Sequence, residues 1–397
     1  MTQLSDRLLR LAPSATLAMS QKSADLKAQG IDIINLSVGE PDFNTPDHIK
    51  AAAKQAIDDN YSRYSPVPGY PSLRNAIVEK LRQENGLTYT PAQIVVSNGA
   101  KQCVNNAIQT IINAGDEVII PAPYWVSYPD MVALAEGTPI TIPAPIEQNF
   151  KITPAQLEAA ITPKTRAIIL CSPSNPTGSV YSAEELEALA AVLRKHERII
   201  VIADEIYEHI NYIGKHASIA ACEGMQERTV IINGVSKAYA MTGWRIGFLA
   251  APLWLAKAAN NLQGQYTSGP CSVSQMAATE AYAGPQTCVE EMRQAFERRR
   301  NLIVELTREI PGLQVNNPQG AFYLFPKCSD FFGKSDGKTT IRTSDDFALY
   351  LLETAHVACV GGDSFGAPEC FRMSYATSDE NIVEAIRRIK EACAKLQ

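Results

Sequence analysis

Residues 199–207 read IIVIADEIY: an uncharged apolar run, then two carboxylates, an isoleucine and a tyrosine. A run too short for a helix and apolar at nearly every step is how a strand reads when both its faces are covered. Four further runs share the pattern: QIVVS at 93–97, EVII at 117–120, AIILC at 167–171 and TVII at 229–232. Helix-like stretches lie between them. Ser182-Ala183-Glu184-Glu185 is a capping box ahead of LEALAAVL. Thr45-Pro46 opens another helix, with proline at its first position. Buried strands alternating with helices predict an α/β fold, with a mostly parallel sheet between helix layers.

From about residue 285 the pattern changes. Val289, Met292, Phe296, Ile303, Leu306 and Ile310 recur at helical spacing, one stripe of a long helix. Residues 298–300, three arginines in its middle, read as a solvated face. Strand candidates follow at 321–325 and 370–375, then a last helix from about Ser378. With 397 residues, the chain is too long for one simple core. The expected division is an N-terminal arm with part of a small domain (1–45), a large domain (46–290), and a connecting helix with the small α+β domain (291–397).

The net charge of −6 argues against an electrostatic grip on nucleic acid. No apolar run is long enough to span a bilayer, and the first residues are too polar for a signal peptide. Nine cysteines are scattered without a Cys-x-x-Cys pair, so neither a metal site nor a disulfide framework is indicated, and a cytoplasmic location is expected.

Open α/β sheets bind ligands beyond the carboxyl ends of their strands. The residues that end the apolar runs are therefore the candidates: Asn98-Gly99-Ala100-Lys101, then Ser172 to Gly178 with Asn175 at its centre, then Asp204 and Tyr207, and finally Ser236 and Lys237. Taken singly, Gly99 is also an ordinary strand-to-helix turn, Asn175-Pro176 a turn, and Asp204 a cap or ion-pair partner. Lys237 is harder to set aside. An amine in apolar surroundings has its pKa lowered and becomes nucleophilic, which suits imine chemistry with a carbonyl. Asp204 would then face a pyridine nitrogen and keep it protonated. Tyr207 is an odd step from Asp204, so the two can cooperate only if the strand ends near Asp204.

Four motifs resemble, in order, the signatures of class I aminotransferases, which bind pyridoxal phosphate on the type I fold: SPSNPTG (172–178), ADEIYE (203–208), VSKAYAMTGWRIGF (235–248) and FRMSYA (371–376). SVGEPDF (37–43) and PYWVSYP (123–129) are similar to the bacterial aspartate aminotransferase branch. The resemblance implies that Lys237 forms a Schiff base with pyridoxal 5'-phosphate and shuttles the substrate proton. Asp204 pairs with the ring nitrogen, Tyr207 and Asn175 bond the phenolic oxygen, and Trp125 stacks on the ring. The phosphate rests on the amides of Gly99, Ala100 and Lys101, with Ser236 and Arg245 completing its grip. Arg372 forks the substrate α-carboxylate, helped by Gly39 and Asn175. Lys101, Ser14 and Thr16 match positions that read a side-chain carboxylate. Tyr64 matches a tyrosine that reaches the neighbouring subunit's phosphate, which implies a homodimer with shared active sites. The implied reaction passes the amino group of aspartate to 2-oxoglutarate in two half-reactions. Ala12 stands where prephenate-accepting members carry a basic residue, which favours aspartate over prephenate.

Four other functions bear comparison with these residues. Gly234-Val235-Ser236-Lys237-Ala238 nearly spells a hydrolase nucleophile elbow, with His356 downstream. An aminotransferase-like ligand sensor would carry a DNA-binding module ahead of the first strand, where too few residues stand. A broader aminotransferase for aromatic or neutral amino acids, or a lyase on the same scaffold, shares the motifs.

Overall fold

The computed structural model describes residues 4–11 and 15–397, the side chains of 15–17 excepted. Among these residues twelve strands form: β1 (Ile34–Asn35), β2 (Ile94–Ser97), β3 (Glu117–Ala122), β4 (Thr138–Pro143), β5 (Thr165–Cys171), β6 (Ile200–Asp204), β7 (Thr229–Gly234), β8 (Gly247–Ala250), β9 (Tyr323–Leu324), β10 (Val357–Ala358), β11 (Val360–Gly361) and β12 (Phe371–Ser374). Seven make one sheet in the order β2-β8-β7-β6-β5-β3-β4. Only β8 runs against the rest. The expected α/β fold with a mostly parallel sheet is what the chain adopts. All five apolar runs lie in this sheet, and β2, β6 and β7 are buried along their whole length.

Two strands of the sheet escape the periodicity argument. β4 carries Pro139 and Pro143 and is half exposed, tolerable because it lies at the sheet edge, where a missing N–H costs no ladder bond. β8 is four residues long and opens with Gly247. The predicted helix at Thr45-Pro46 forms one residue later, as Asp47–Asp58, with Pro46 in extended conformation before it. The capping box holds: the Ser182 hydroxyl accepts from Glu185 N and the Glu185 carboxylate accepts from Ser182 N.

The long helix is Thr287–Arg308, and Val289, Met292, Phe296 and Ile303 are buried along it. Its three arginines correct the solvated-face expectation. Arg298 is exposed and pairs with Asp379. Arg299 is buried and forks Asp42 at 2.7 and 2.9 Å, while buried Arg300 donates to Pro318 O and lies 4.9 Å from the Tyr212 ring. Helical periodicity cannot reveal this, because the partners come from segments remote in sequence. Beyond the helix, β9, β12 and β11 form a three-stranded antiparallel sheet, and β10 pairs in parallel with β1. The N-terminal segment therefore packs with the C-terminal strands.

Candidate active site

The β6 strand ends at Asp204, and the chain leaves the sheet there in a turn. The condition on Asp204 and Tyr207 is met. Asp204 is buried; its Oδ2 accepts from the Tyr128 hydroxyl at 2.6 Å and its Oδ1 from Ile206 N at 3.3 Å. Burial pushes its carboxyl up to about 6, against the pull of these two donors. No cation is hydrogen-bonded to it among the described residues, so it is a buried carboxylate that a protonated ring nitrogen would suit.

Lys237 follows the end of β7 by three residues. Its Nζ donates to Gly39 O at 2.6 Å and lies 5.7 and 5.8 Å from the ring centres of Tyr207 and Phe322. Desolvation brings its pKa down to about 8; Glu40 opposes this, and Arg372 and Arg245 add to it. An amine in that range is neutral in roughly a tenth to a fifth of molecules near physiological pH, far more often than an ordinary lysine, and the neutral form is the nucleophile.

After β2 the chain turns at Gly99, with φ of +82°, into the helix Ala100–Ile111. A Cβ at Gly99 would lie 2.3 Å from Arg245 Nη2. The guanidinium thus covers a glycine turn at a helix start, a place suited to an anion. Arg245 is held there by Asn98 O and Thr242 O at 3.1 and 3.0 Å, and Ser236 is buried. Lys101 sits in the first turn, with Nζ 5.2 Å from the Trp125 ring centre. Burial lowers its pKa, Arg245 does the same, and Asp130 opposes.

Arg372, on β12, is buried. Its Nη1 donates to Asn175 Oδ1 at 2.9 Å and its Nη2 to Ser37 O at 2.7 Å, while Nε has no partner among the described residues. An orphaned buried N–H on a cation is a strong pointer to an anionic ligand. Gly39 backs this corner, for a Cβ there would lie 2.5 Å from the Tyr323 hydroxyl. Tyr64 is 99% exposed. Ser14, Ala12 and the side chain of Thr16 lie outside the described residues.

Two tyrosines in the site were not singled out from sequence. Tyr128 is three residues beyond Trp125, and their rings meet edge to face at 5.3 Å. That one-turn spacing was the available signal. Tyr323 lay inside a strand candidate, and nothing in its spacing marked it. The hydrolase reading fails on geometry: among the described residues no histidine is hydrogen-bonded to Ser236, and His356 follows the helical turn Leu351–Ala355 of the C-terminal part.

The sequence profile of the family "Aminotransferase class I and II" matches residues 31–389. This chain belongs to that family. It is 51% identical to an aspartate/prephenate aminotransferase of Cereibacter sphaeroides, over 100% of both chains. It is 49% identical to an aspartate aminotransferase of Geobacillus stearothermophilus, over 99% of this chain and 100% of the relative. The crystal structure of the aspartate aminotransferase from Rhizobium meliloti matches with a TM-score of 0.96 at 45% identity, covering 100% of both chains. As an aminotransferase of this class, the protein is an enzyme that uses pyridoxal 5'-phosphate and acts on small amino and 2-oxo acids. Its donor set fits the cofactor: an amine of lowered pKa, a buried carboxylate with no cation hydrogen-bonded to it among the described residues, and a glycine turn under an arginine. No helix among the described residues is long and apolar enough to cross a membrane.

Proposed function

We propose that this aminotransferase moves the amino group of L-aspartate to 2-oxoglutarate. The observation that carries the reading is Arg372, a buried fork held by Asn175 and Ser37 whose Nε–H has no partner among the described residues. Near-50% identity to two relatives named for aspartate supports the choice of substrate. Pyridoxal phosphate, when bound, supplies a ring that accepts the electron pair released as a substrate Cα–H bond breaks. The chain's residues do the rest. Lys237 attaches the cofactor and then carries the Cα proton, a task that its lowered pKa permits. Asp204 holds the ring nitrogen protonated, with Tyr128 fixing the carboxylate. Tyr207 and Asn175 bond the phenolic oxygen, and Trp125 covers the ring. The amides of Gly99, Ala100 and Lys101 hold the phosphate, with Ser236 and Arg245. Arg372, Gly39 and Asn175 bind the α-carboxylate. Lys101, Ser14 and Thr16 read the second carboxylate that distinguishes aspartate.

Our reading includes a homodimer in which Tyr64 reaches the other subunit's cofactor phosphate; a tyrosine almost wholly exposed on one chain supports it. It also includes the two-lobe division into 1–45, 46–290 and 291–397, which the separate apolar cluster around Phe296, Phe322, Phe347 and Phe371 supports. A cytoplasmic setting suits nine unpaired cysteines.

The test adds aspartate alone to the cofactor-loaded enzyme and follows the visible absorbance. The expected result is bleaching that 2-oxoglutarate reverses. An unchanged spectrum with aspartate but bleaching with tyrosine or alanine would overturn the specificity. Because several relatives, that of Cereibacter sphaeroides among them, are named for prephenate as well, prephenate is tried as amino acceptor in place of 2-oxoglutarate; slower recovery is expected.

A further inference from the structure

Tyr323 touches three of the residues just assigned, and no role has been given to it. It lies on β9, whose partner β12 carries Arg372, in the register Tyr323 to Ser374 and Leu324 to Met373. It is 1% exposed. Its hydroxyl is 2.8 Å from the Tyr207 hydroxyl, and neither oxygen has another hydrogen-bond partner among the described residues. The Arg372 guanidinium carbon lies 4.6 Å from the centre of the Tyr323 ring. The Gly39 backbone closes the third side, leaving no room for a side chain between itself and the Tyr323 hydroxyl.

The direction of the tyrosine pair follows from proton counting. Each hydroxyl has one proton to donate. If Tyr207 gives its proton to the cofactor's phenolic oxygen, its own oxygen becomes the acceptor, and Tyr323 must be the donor. Donors in series polarise one another, so the second strengthens the first. The cation on the face of Tyr323 works in the same sense, because a nearby positive charge favours release of the phenol proton. An incoming carboxylate at Arg372 offsets that charge and weakens the whole series.

We propose that Tyr323 is a positioning residue that relays occupancy of the Arg372 carboxylate site, through Tyr207, to the phenolic oxygen of the cofactor. Asn175 gives Arg372 a second path to the same place, since it accepts from Arg372 through Oδ1 and keeps its amide protons free. The relay is thus one of two routes. It rests on the assignments of Tyr207 and Arg372 given above.

The experiment is a pH titration of the visible absorbance of the cofactor-loaded enzyme, with and without maleate, a dicarboxylate with no amino or oxo group to exchange. Tyr323→Phe keeps the ring against Arg372 and removes only the hydroxyl. Losing one donor in the series leaves the phenolic oxygen more basic. The midpoint is expected to rise by roughly 0.5 to 1 pH unit; maleate is expected to raise the midpoint of the parent enzyme and to raise that of this variant less. In Tyr207→Phe the relay is already cut, so adding Tyr323→Phe is expected to move the midpoint no further. An unmoved midpoint in Tyr323→Phe, or a shift that simply adds to that of Tyr207→Phe, overturns the relay. A midpoint unmoved in Tyr207→Phe itself overturns the assignment of Tyr207, and the relay with it.

Discussion

The Tyr128 hydroxyl donates to Asp204 Oδ2 at 2.6 Å, in a spot where both residues are buried. This bond works against burial, which on its own would favour an uncharged Asp204. Tyr128→Phe should therefore raise the Asp204 pKa above about 6 and leave the carboxylate a poorer partner for a protonated ring nitrogen. A hydrogen bond to a charged group contributes about 1.5–3 kcal/mol, so cofactor affinity should fall about tenfold or more. Titration of the apoenzyme with pyridoxal phosphate measures this; an unchanged dissociation constant would show that Tyr128 is only packing.

Tyr128 also shows where sequence reading stops. The five apolar runs had only one environment that suits them, a covered sheet, and the polar residues at their ends had to meet beyond it. That logic brings together Gly99, Asn175, Asp204 and Lys237. It has no purchase on Tyr128, which comes from a helix start, or on Tyr323, which comes from a two-residue strand after the long helix. Arg299 failed for a related reason: its partner Asp42 is remote in sequence, so nothing local distinguishes it from a solvated arginine.

The lowered Lys237 pKa has a kinetic consequence. Only the neutral amine attacks the cofactor's aldehyde, so capture of pyridoxal phosphate by the apoenzyme should accelerate as pH rises and level off above about 8. The rate of absorbance change between pH 6 and 10, corrected for free cofactor, gives the midpoint. One that stays near the ordinary lysine value of about 10.4 would mean that desolvation does not act on this amine.

Gly99→Ala places a Cβ 2.3 Å from Arg245 Nη2 at a backbone φ of +82°, in a region nearly reserved for glycine. The backbone strain alone should lower stability by about 1–3 kcal/mol. Displacing Arg245 should also weaken the hold on the cofactor phosphate. Denaturant unfolding of the apoenzyme reads the first effect, and affinity for pyridoxal phosphate against unphosphorylated pyridoxal reads the second. Parent-like values in both would mean that the Gly99 turn does not cradle the phosphate.

Behind the site, buried Glu208 is paired with buried Lys80 and accepts from half-buried Asn85 and buried Asn233, each at 2.8 Å. Burial pushes the Glu208 carboxyl up, but Lys80, then His209 and His216, outweigh it and hold it well below the usual carboxylate range. A depressed carboxylate stabilises the fold fully above its unfolded pKa, about 4.3, and loses that contribution as pH falls toward the folded value. Glu208→Gln leaves the Lys80 ammonium with Glu84 at 3.4 Å and Asn85 Oδ1 at 2.8 Å, and should cost about 1.5–3 kcal/mol at pH 7, a difference that narrows below pH 4. Unfolding curves at pH 7 and at pH 3.5 test both the size and the sign.

Everything assigned to the site turns on Lys237, rather than the other lysine near it, Lys101, attaching the cofactor. Reducing the loaded enzyme with borohydride and mapping its peptides by mass spectrometry decides this. A phosphopyridoxyl group is expected on Lys237, in the peptide containing VSKAYAMTGWR; a group on Lys101, or on no lysine at all, would rule Lys237 out.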